Sequence, residues 1–410
     1  MAGTAVAGAA LASPNILAHG LRQDRIKVGL IGCGGRGRGA ATNALAADEG
    51  VVIWAMGDVF EDHLDSARKN LEQQGGDRMQ VTDDRTFIGF DAYKAVIDQD
   101  VDYVILATPP GFRPEHFAAA IAGGKSVFME KPVAVDAPGI RKVIRASMTA
   151  RREGLAVVAG TQRRHQNTYL ECIDRIHNGQ IGDVVATYAY WNQGALWMKP
   201  RQESWSDLEW QLRNWLYFAW LSGDHIVEQH IHNMDVCCWA KGSYPVSCMS
   251  LAGRQVRTLP AYGHVFDHFA TEYEFEDGTK MQSQCRQIDG CKNRVSEHIV
   301  GTKGQSNAAT SITGENPWEF DGEKPNPYMI EHRDLIASIR AGDPLNEGVR
   351  IAKSTLVAIM GRMSAYTGQE ITWDQAMNSD ETLVPPSDTL SFEMDLNVAK
   401  VAVPGRTKFV

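Results

Sequence analysis

From Gly223 to Asp235 the chain reads Gly-Asp-His-Ile-Val-Glu-Gln-His-Ile-His-Asn-Met-Asp, its densest run of titratable side chains. If the run is helical, steps of three, four and three residues put His225, Glu228, His232 and Asp235 on one face. Val227, Ile231 and Met234 are left for the core. A histidine with a carboxylate one turn to either side is a sensible general base, because the acids fix its tautomer and stabilise the imidazolium. Glu-x-His-x-His with an Asp nearby also offers metal ligands. Against that, His230 and His232 point to different sides of a helix, and no zinc-protease spacing is present, so no metal is expected. Histidines that only cap or fill the core are the third reading.

The second reactive group is Lys131, in Glu130-Lys131-Pro132 at the end of the apolar run Lys125–Met129. A lysine at a strand end beside a ligand cleft can hydrogen-bond a hydroxyl and relay its proton. A solvated strand-end lysine is the plain alternative. Pro132 stiffens the exit and can carry a cis bond.

The third feature is Gly32-x-Gly34-x-x-Gly37, with Gly35 and Arg36 inside it. It follows the apolar run Val28–Ile31 and precedes the helix-forming Ala40, Ala41, Ala44 and Leu45. The first glycine permits the tight turn, the second lets a pyrophosphate approach, and the third lets helix pack close to strand. The phosphates then meet free N–H groups at a helix start. A second apolar run, Val51–Met56, ends at Gly57-Asp58, about 20 residues further on. An acid there accepts both ribose hydroxyls of NAD and repels the 2′-phosphate of NADP. A glycine-rich turn without a ligand is the alternative.

These groups need a frame. Residues 25–130 alternate strand and helix signals: a helix from Glu61 to Gln73, a short strand at Gln80–Thr82, a strand at Val101–Thr108, and a helix from Glu115 to Ala122. That rhythm predicts a doubly wound parallel sheet, closed by Ala156–Gly160. Gly34, Asp58, Thr108-Pro109 and Lys131 then share the carboxyl ends of its strands, where ligands bind. From about residue 183 the texture changes to alternating runs, with a hairpin turn at Glu276-Asp277-Gly278. This predicts an α+β second domain with a large, mostly antiparallel sheet. Helices follow at 328–341 and 347–368, and the polar tail after Thr372 is expected to wrap a partner subunit. Arg163-Arg164-His165 follows the closing strand and could reach the cleft. Tyr190-Trp191-Asn192 and the stretch Trp197–Trp205 suit stacking on sugar rings, or simply core packing.

The 410 residues exceed one typical domain, and 43% apolar content supports sizeable cores. A net charge of −9 without a basic block argues against nucleic acid and anionic membrane surfaces. No apolar run is long enough to span a bilayer. Seven cysteines form no CxxC pair and read as buried thiols, although Cys285 and Cys291 could pair in an exported protein. Ala2 to Ala18 is small, weakly apolar and uncharged, like the apolar and cleavage regions of a leader. Such mild hydrophobicity suits a twin-arginine signal, whose arginines would lie upstream, and a periplasmic or otherwise exported protein. A tail on a cytoplasmic protein is the alternative.

Together these residues resemble the glucose–fructose oxidoreductase / inositol dehydrogenase / rhizopine catabolism (Gfo/Idh/MocA) family. The resemblance runs from about Arg25 to Thr372. It rests on the glycine motif, Ala107-Thr108-Pro109-Pro110 with His116, Glu130-Lys131-Pro132, His232-Asn233-Met234-Asp235, and the helix after Asn346-Glu347-Gly348. It implies that Lys131 and His232 are the catalytic pair and Asp235 a support. Where the family carries D-x-G-x-H-x-x-D, Glu228 stands for the first aspartate and His230 for the glycine. Glu228 thus joins the acid–base candidates and His230 the possible substrate contacts. Gly223–His230 resembles an exported branch of the family. The resemblance also implies a Rossmann domain at 25–160, with Gly32, Gly34, Gly35, Arg36, Gly37, Asp58, Thr108, Pro109, His116, Glu130 and Lys131 at the cofactor. It implies a substrate-binding and oligomerisation domain at 161–375, whose last helices return to the Rossmann domain, with Arg164, His165, Tyr190, Trp191 and Asn192 at the substrate. Residues 1–24 are then leader or tail, and 376–410 a C-terminal tail.

The implied activity is hydride transfer between NAD and a secondary hydroxyl of a sugar, glycoside or cyclitol. Outside the cytoplasm free NAD is not renewed, so an exported enzyme is expected to hold its cofactor tightly and regenerate it in place. It could couple two sugars. It could instead act as a redox-neutral glycosidase through transient oxidation at C3, with Glu228, His230, His264 or Tyr190 as the extra base. A non-catalytic sugar-binding protein is the third reading, but it predicts a lost lysine or histidine, and both are present. A long, one-faced sheet favours a homo-oligomer, a dimer or tetramer.

Overall fold

The computed structural model describes residues 25–394 and 396–410. The leader-like stretch Ala2–Ala18 lies outside them. Six strands form the first sheet: β1 (Ile26–Ile31), β2 (Val51–Asp58), β3 (Thr86–Ile88), β4 (Tyr103–Leu106), β5 (Ser126–Met129) and β6 (Val157–Ala159). All are parallel, in the order β3-β2-β1-β4-β5-β6. The order reverses between β1 and β4, which makes the carboxyl ends of those two strands the crevice of the sheet. The strands are continuous apolar runs because helices cover both faces, and Val28, Leu30, Val104 and Val127 are fully buried. The third strand is not Gln80–Thr82. Met79 makes only a bridge to Ile53, and Thr86–Ile88 pairs with β2 instead. Helix Glu61–Gly75 buries Leu64 and Leu71, as their spacing requires.

The second sheet has nine strands: β7 (Val184–Gln193), β8 (Ser247–Gly253), β9 (His268–Glu274), β10 (Lys280–Gln287), β11 (Arg294–Gly301), β12 (Gly304–Ser306), β13 (Ser311–Gly314), β14 (Trp318–Glu319) and β15 (Ile371–Thr372). Their order is β14-β13-β12-β11-β7-β10-β9-β8-β15, antiparallel except between β7 and β10. Asp277 and Gly278 turn β9 into β10 as a hairpin. Helices Ile231–Lys241 and Gly348–Thr367 cover one face. The other face leaves Met249 and Leu251 exposed.

The domains share one core. Helix Gly348–Thr367 packs on both, and its Arg362 and Thr355 bond the backbone of Val135 and Val133. Helix Pro327–Ala341 returns to the first domain, where Leu335 and Ile336 pack with Ala40 and Ala44. The C-terminal tail lies on its own chain: Phe392 stacks on Phe60 and lies at a tilt to Phe90, and Ser379 bonds the Val410 carbonyl. Its apolar side chains (Leu383, Leu390, Met394) find an intramolecular aromatic cluster to cover. Cys285 is buried, Cys291 is exposed, and both are free thiols.

Candidate active site

Two adjoining cavities occupy the crevice. The larger, about 530 Å³, is lined by the Gly32–Arg36 loop, Asp58, Thr108, Pro109 and His116. Its glycines are set by contact. Gly32 has φ +92°, and a Cβ there would lie 2.6 Å from the Thr108 nitrogen. A Cβ on Gly37 would lie 1.8 Å from the Gly32 oxygen. Gly34 and Gly35 face open space, and no side chain caps the helix Gly35–Ala47 that begins there. Bare backbone N–H groups therefore meet the cavity, as a pyrophosphate requires. Asp58 ends β2 beside the loop, its carboxylate accepting the N–H of Cys33 at 2.5 Å and of Phe60 at 2.8 Å. His116 stacks between Tyr93 and Phe112, with Nδ1 3.2 Å from the Thr108 hydroxyl. Burial, then Arg113, pushes its pKa down to about 3, so it is neutral. This cavity fits a dinucleotide.

The smaller cavity, about 280 Å³, is lined by Lys131, Glu228 and His232, with Arg36, Glu130, Gln162, Trp215 and Tyr328. Arg36, Thr108 and Trp215 line both cavities and mark their junction. Lys131 follows β5, and its peptide bond to Pro132 is cis. Its Nζ donates to the Glu228 carbonyl at 2.6 Å and to Oε1 at 2.9 Å. Arg36 is held by Glu130 at 2.5 Å and by the buried Glu331 at 3.3 Å. His232 stacks on Trp191, with centroids 5.8 Å apart. Burial, then Lys131 and Arg163, holds its pKa well below the ordinary value, so the imidazole is neutral and can accept a proton.

The 223–235 run is not one helix. Gly223 and Asp224 both have positive φ, at +77° and +71°, and stop the preceding turn. A short helix His225–Glu228 follows, the chain bends at Gln229, and a new helix starts at Ile231. His225, Glu228, His232 and Asp235 therefore do not share a face. Glu228 and His232 reach the cavity, whereas His225 bonds Asp224 and meets the edge of Phe269. His230 is buried with Nε2 2.8 Å from the Ser283 hydroxyl, away from both cavities. Asp235 does not hold His232 by a bond. It accepts two bonds from Arg164 at 2.8 and 2.9 Å and one from Ser354 at 2.6 Å, with Arg350 at 3.4 Å. These cations keep its pKa far below the carboxylate range despite burial.

Arg164 is thus committed to Asp235 and to the face of Trp239 rather than to a cavity. His165 lies between Asp334 at 2.7 Å and Glu347 at 3.6 Å and lines neither cavity. On β7 the two-residue alternation divides the aromatic triplet. Trp191 faces His232. Tyr190 turns to the open face, where Arg294 lies 3.5 Å over its ring. Asn192 shares that face by the same alternation. His264 accepts the Ala219 N–H at 3.3 Å, outside the site. Sequence reasoning missed Trp215, Gln162 and Tyr328. Trp215 belongs to a tryptophan-rich stretch that could have suggested it, but Tyr328 arrives from the far end of the chain with no local signal.

A parallel nucleotide-binding sheet whose crevice joins a second α+β domain, with lysine, histidine and glutamate beside the dinucleotide cleft, defines a two-domain nicotinamide-dependent oxidoreductase. Residues 26–161 match the family described as "Oxidoreductase family, NAD-binding Rossmann fold", and residues 169–306 match the "GFO/IDH/MocA C-terminal domain". The chain belongs to the Gfo/Idh/MocA oxidoreductases, and its cofactor is NAD. It is 26% identical over 329 residues to an inositol 2-dehydrogenase of Gluconacetobacter diazotrophicus, covering 77% of this chain and 87% of that one. It is 29% identical to a glycosyl hydrolase family 109 protein of Streptomyces coelicolor over 161 residues, 39% and 32% of the two chains. Among solved structures, scyllo-inositol dehydrogenase of Lactobacillus casei with NAD(H) and scyllo-inositol superposes with a TM-score of 0.65 at 19% identity, over 85% of this chain and 99% of that one.

Proposed function

We propose that the protein transfers a hydride between tightly held NAD and a secondary hydroxyl of a sugar, glycoside or cyclitol. The observation that carries this is the joining of the cavities: neutral His232 and the Lys131–Glu228 pair line a chamber that opens at Arg36, Thr108 and Trp215 onto the dinucleotide cleft. When bound, NAD supplies the hydride acceptor and donor. His232 takes the hydroxyl proton, and Lys131 hydrogen-bonds the same oxygen and fixes its position. Trp215 and Tyr328 give the chamber flat apolar walls suited to a ring. The polyol substrates named for the inositol dehydrogenase relatives support this class.

One observation favours a second reading. Glu228 presents a carboxylate to the same chamber, and it is the one acid–base candidate besides Lys131 and His232 to reach it. It could remove the proton made acidic beside a transient carbonyl, as a redox-neutral glycosidase needs, and the glycosyl hydrolase relative is consistent with that. An exported protein, as Ala2–Ala18 suggests, would gain from either cycle because both regenerate NAD in place. The exposed apolar residues on the second sheet support a homo-oligomer joined there.

The test is to denature the purified protein, weigh the released small molecules, and then screen polyols and aryl glycosides. Stoichiometric NAD with turnover that Lys131→Ala abolishes supports the reading. Hydrolysis without lasting NADH absorbance selects the second. An unbound protein that turns over only with added NAD would overturn tight retention, and turnover by Lys131→Ala would favour a different site.

A further inference from the structure

Residues 194–217 belong to the second domain, yet they help enclose the dinucleotide. Trp197, Lys199, Leu212, Arg213 and Trp215 line the cofactor cleft together with the glycine loop. The segment is stapled internally. The Asn214 amide, fully buried, accepts the Lys199 N–H at 2.8 Å and donates to the Lys199 carbonyl at 3.1 Å. The Tyr217 hydroxyl reaches the carbonyls of Leu196 and Trp197, both at 3.1 Å.

It is also fastened to the first domain just beyond β2. Both Arg213 Nη atoms donate to the Asp62 carboxylate at 3.1 Å, and its Nε donates to Glu209 at 2.8 Å. The guanidinium lies 4.0 Å over the ring of Phe60, two residues past Asp58. The C-terminal tail backs this contact: Phe392 stacks on Phe60, and Gln211 donates to the Leu396 carbonyl at 2.7 Å.

We propose that residues 194–217 form a roof that locks NAD in its cleft, with Lys199 and Trp215 as cofactor-contacting side chains from the second domain and Arg213 as the latch. NAD is then a resident group that stays bound between turnovers. The proposal rests on the hydride-transfer reading above and gives its tight retention a structural cause. A bidentate guanidinium–carboxylate pair has a defined geometry, and opening the roof must break it. The roof acts on dissociation, the step that most contact changes alter. Lys199 brings a positive charge to a cleft that must hold two phosphates.

The experiment measures exchange of bound NAD in the full-length holoprotein. Protein is incubated with excess isotopically labelled NAD, passed through a desalting column at intervals, denatured and weighed. Wild type is expected to exchange more slowly than it turns over. Arg213→Gln and Asp62→Asn should each speed exchange by about fivefold, the worth of one surface ion pair. The swapped pair, Arg213→Asp with Asp62→Arg, should restore part of the retention, which general damage to the roof would not do. High salt should speed exchange in wild type more than in Asp62→Asn. If Arg213→Gln does not fold, Asp62→Asn breaks the same contact from a side chain that is 61% exposed. Exchange in wild type as fast as in Asp62→Asn overturns the roof while leaving hydride transfer intact. A wild-type protein that takes up no NAD at all overturns both.

Discussion

Two carboxylates flank His232 in the chain, Glu228 in the short helix before it and Asp235 one turn after it, and they meet opposite fates. Glu228 stays at the cavity wall, 12% exposed, bonded to Lys131 with room for a ligand. Asp235 is 2% exposed and saturated by Arg164, Arg350 and Ser354. Both are acids beside a histidine, but only the first keeps unused hydrogen-bonding capacity next to open space. A carboxylate stays open to a ligand where its partner also lines a cavity, and is tied into the fold where cations enclose it. Burying the second ion pair is costly unless every oxygen is satisfied, and here they are.

The largest expected effect lies on the cavity side. Lys131→Ala should lower kcat by about 10² to 10⁴, the usual worth of a positioned proton-transfer group, with little change in melting temperature. Steady-state kinetics alongside a thermal melt would test this, and a large loss of stability with kcat retained would move Lys131 to the structural side of the comparison. Asp235→Ala should do the reverse. It strands Arg164, leaves Arg350 to Glu347, and should cost about 3–5 kcal/mol in urea unfolding, as breaking a buried pair does. A variant as stable as wild type but with an altered pH–rate profile would place Asp235 in the catalytic set after all. Glu228→Gln is smaller. It removes one charge-assisted bond to Lys131, worth about 1.5–3 kcal/mol, so kcat/KM should fall about tenfold to a hundredfold. Hydrolytic turnover should fall further than simple oxidation if Glu228 is also a base.

The smallest effect belongs to the network behind Asp235. Burial alone would depress the pKa of His165, but its bonds to Asp334 and Glu347 outweigh that and raise it from 6.5 to about 9. A raised pKa stabilises the fold fully below about pH 6.5, and that contribution is lost as pH rises through about 9. Thermal melts across pH 6–10 (roughly the window set by that shift) should show this decline. It should be flatter in His165→Gln. An unchanged slope would mean that His165 is neutral in the folded protein.

The cofactor half of the site was readable because its determinants are local. A glycine needed for φ +92° at Gly32, or for close approach at Gly37, leaves its mark at one position, and strand, loop and helix follow within a few residues. Asp58 sits at a fixed distance along the same βαβ unit. The substrate half was readable only in part. The types at Lys131, Glu228 and His232 were visible, but which side chains of the run reach the cavity was not, because Gly223 and Asp224 take positive φ ahead of its first helix and the chain bends at Gln229 before its second. Asp224 gives no glycine signal for this. It is held there by bonds from Phe266 and Tyr366 in distant segments, besides the local one from His225. Thr86–Ile88 and Gln80–Thr82 are both too short for periodicity to separate, and only the pairing of Thr86–Ile88 with β2 does so.

By itself the sequence determined the parallel nucleotide-binding sheet, the glycine loop with its acid, the change to an antiparallel domain, and the residue types available for proton transfer. Each depends on periodicity, on backbone freedom at one residue, or on spacing within one supersecondary unit. The tertiary structure alone decided which acid faces a cavity, which arginine is spent on an ion pair, and which side of β7 looks toward His232. It also brought Trp215 and Tyr328 to one chamber from segments more than a hundred residues apart. Those outcomes depend on where cations, walls and open space come to rest after the chain has packed, and no local pattern carries that information.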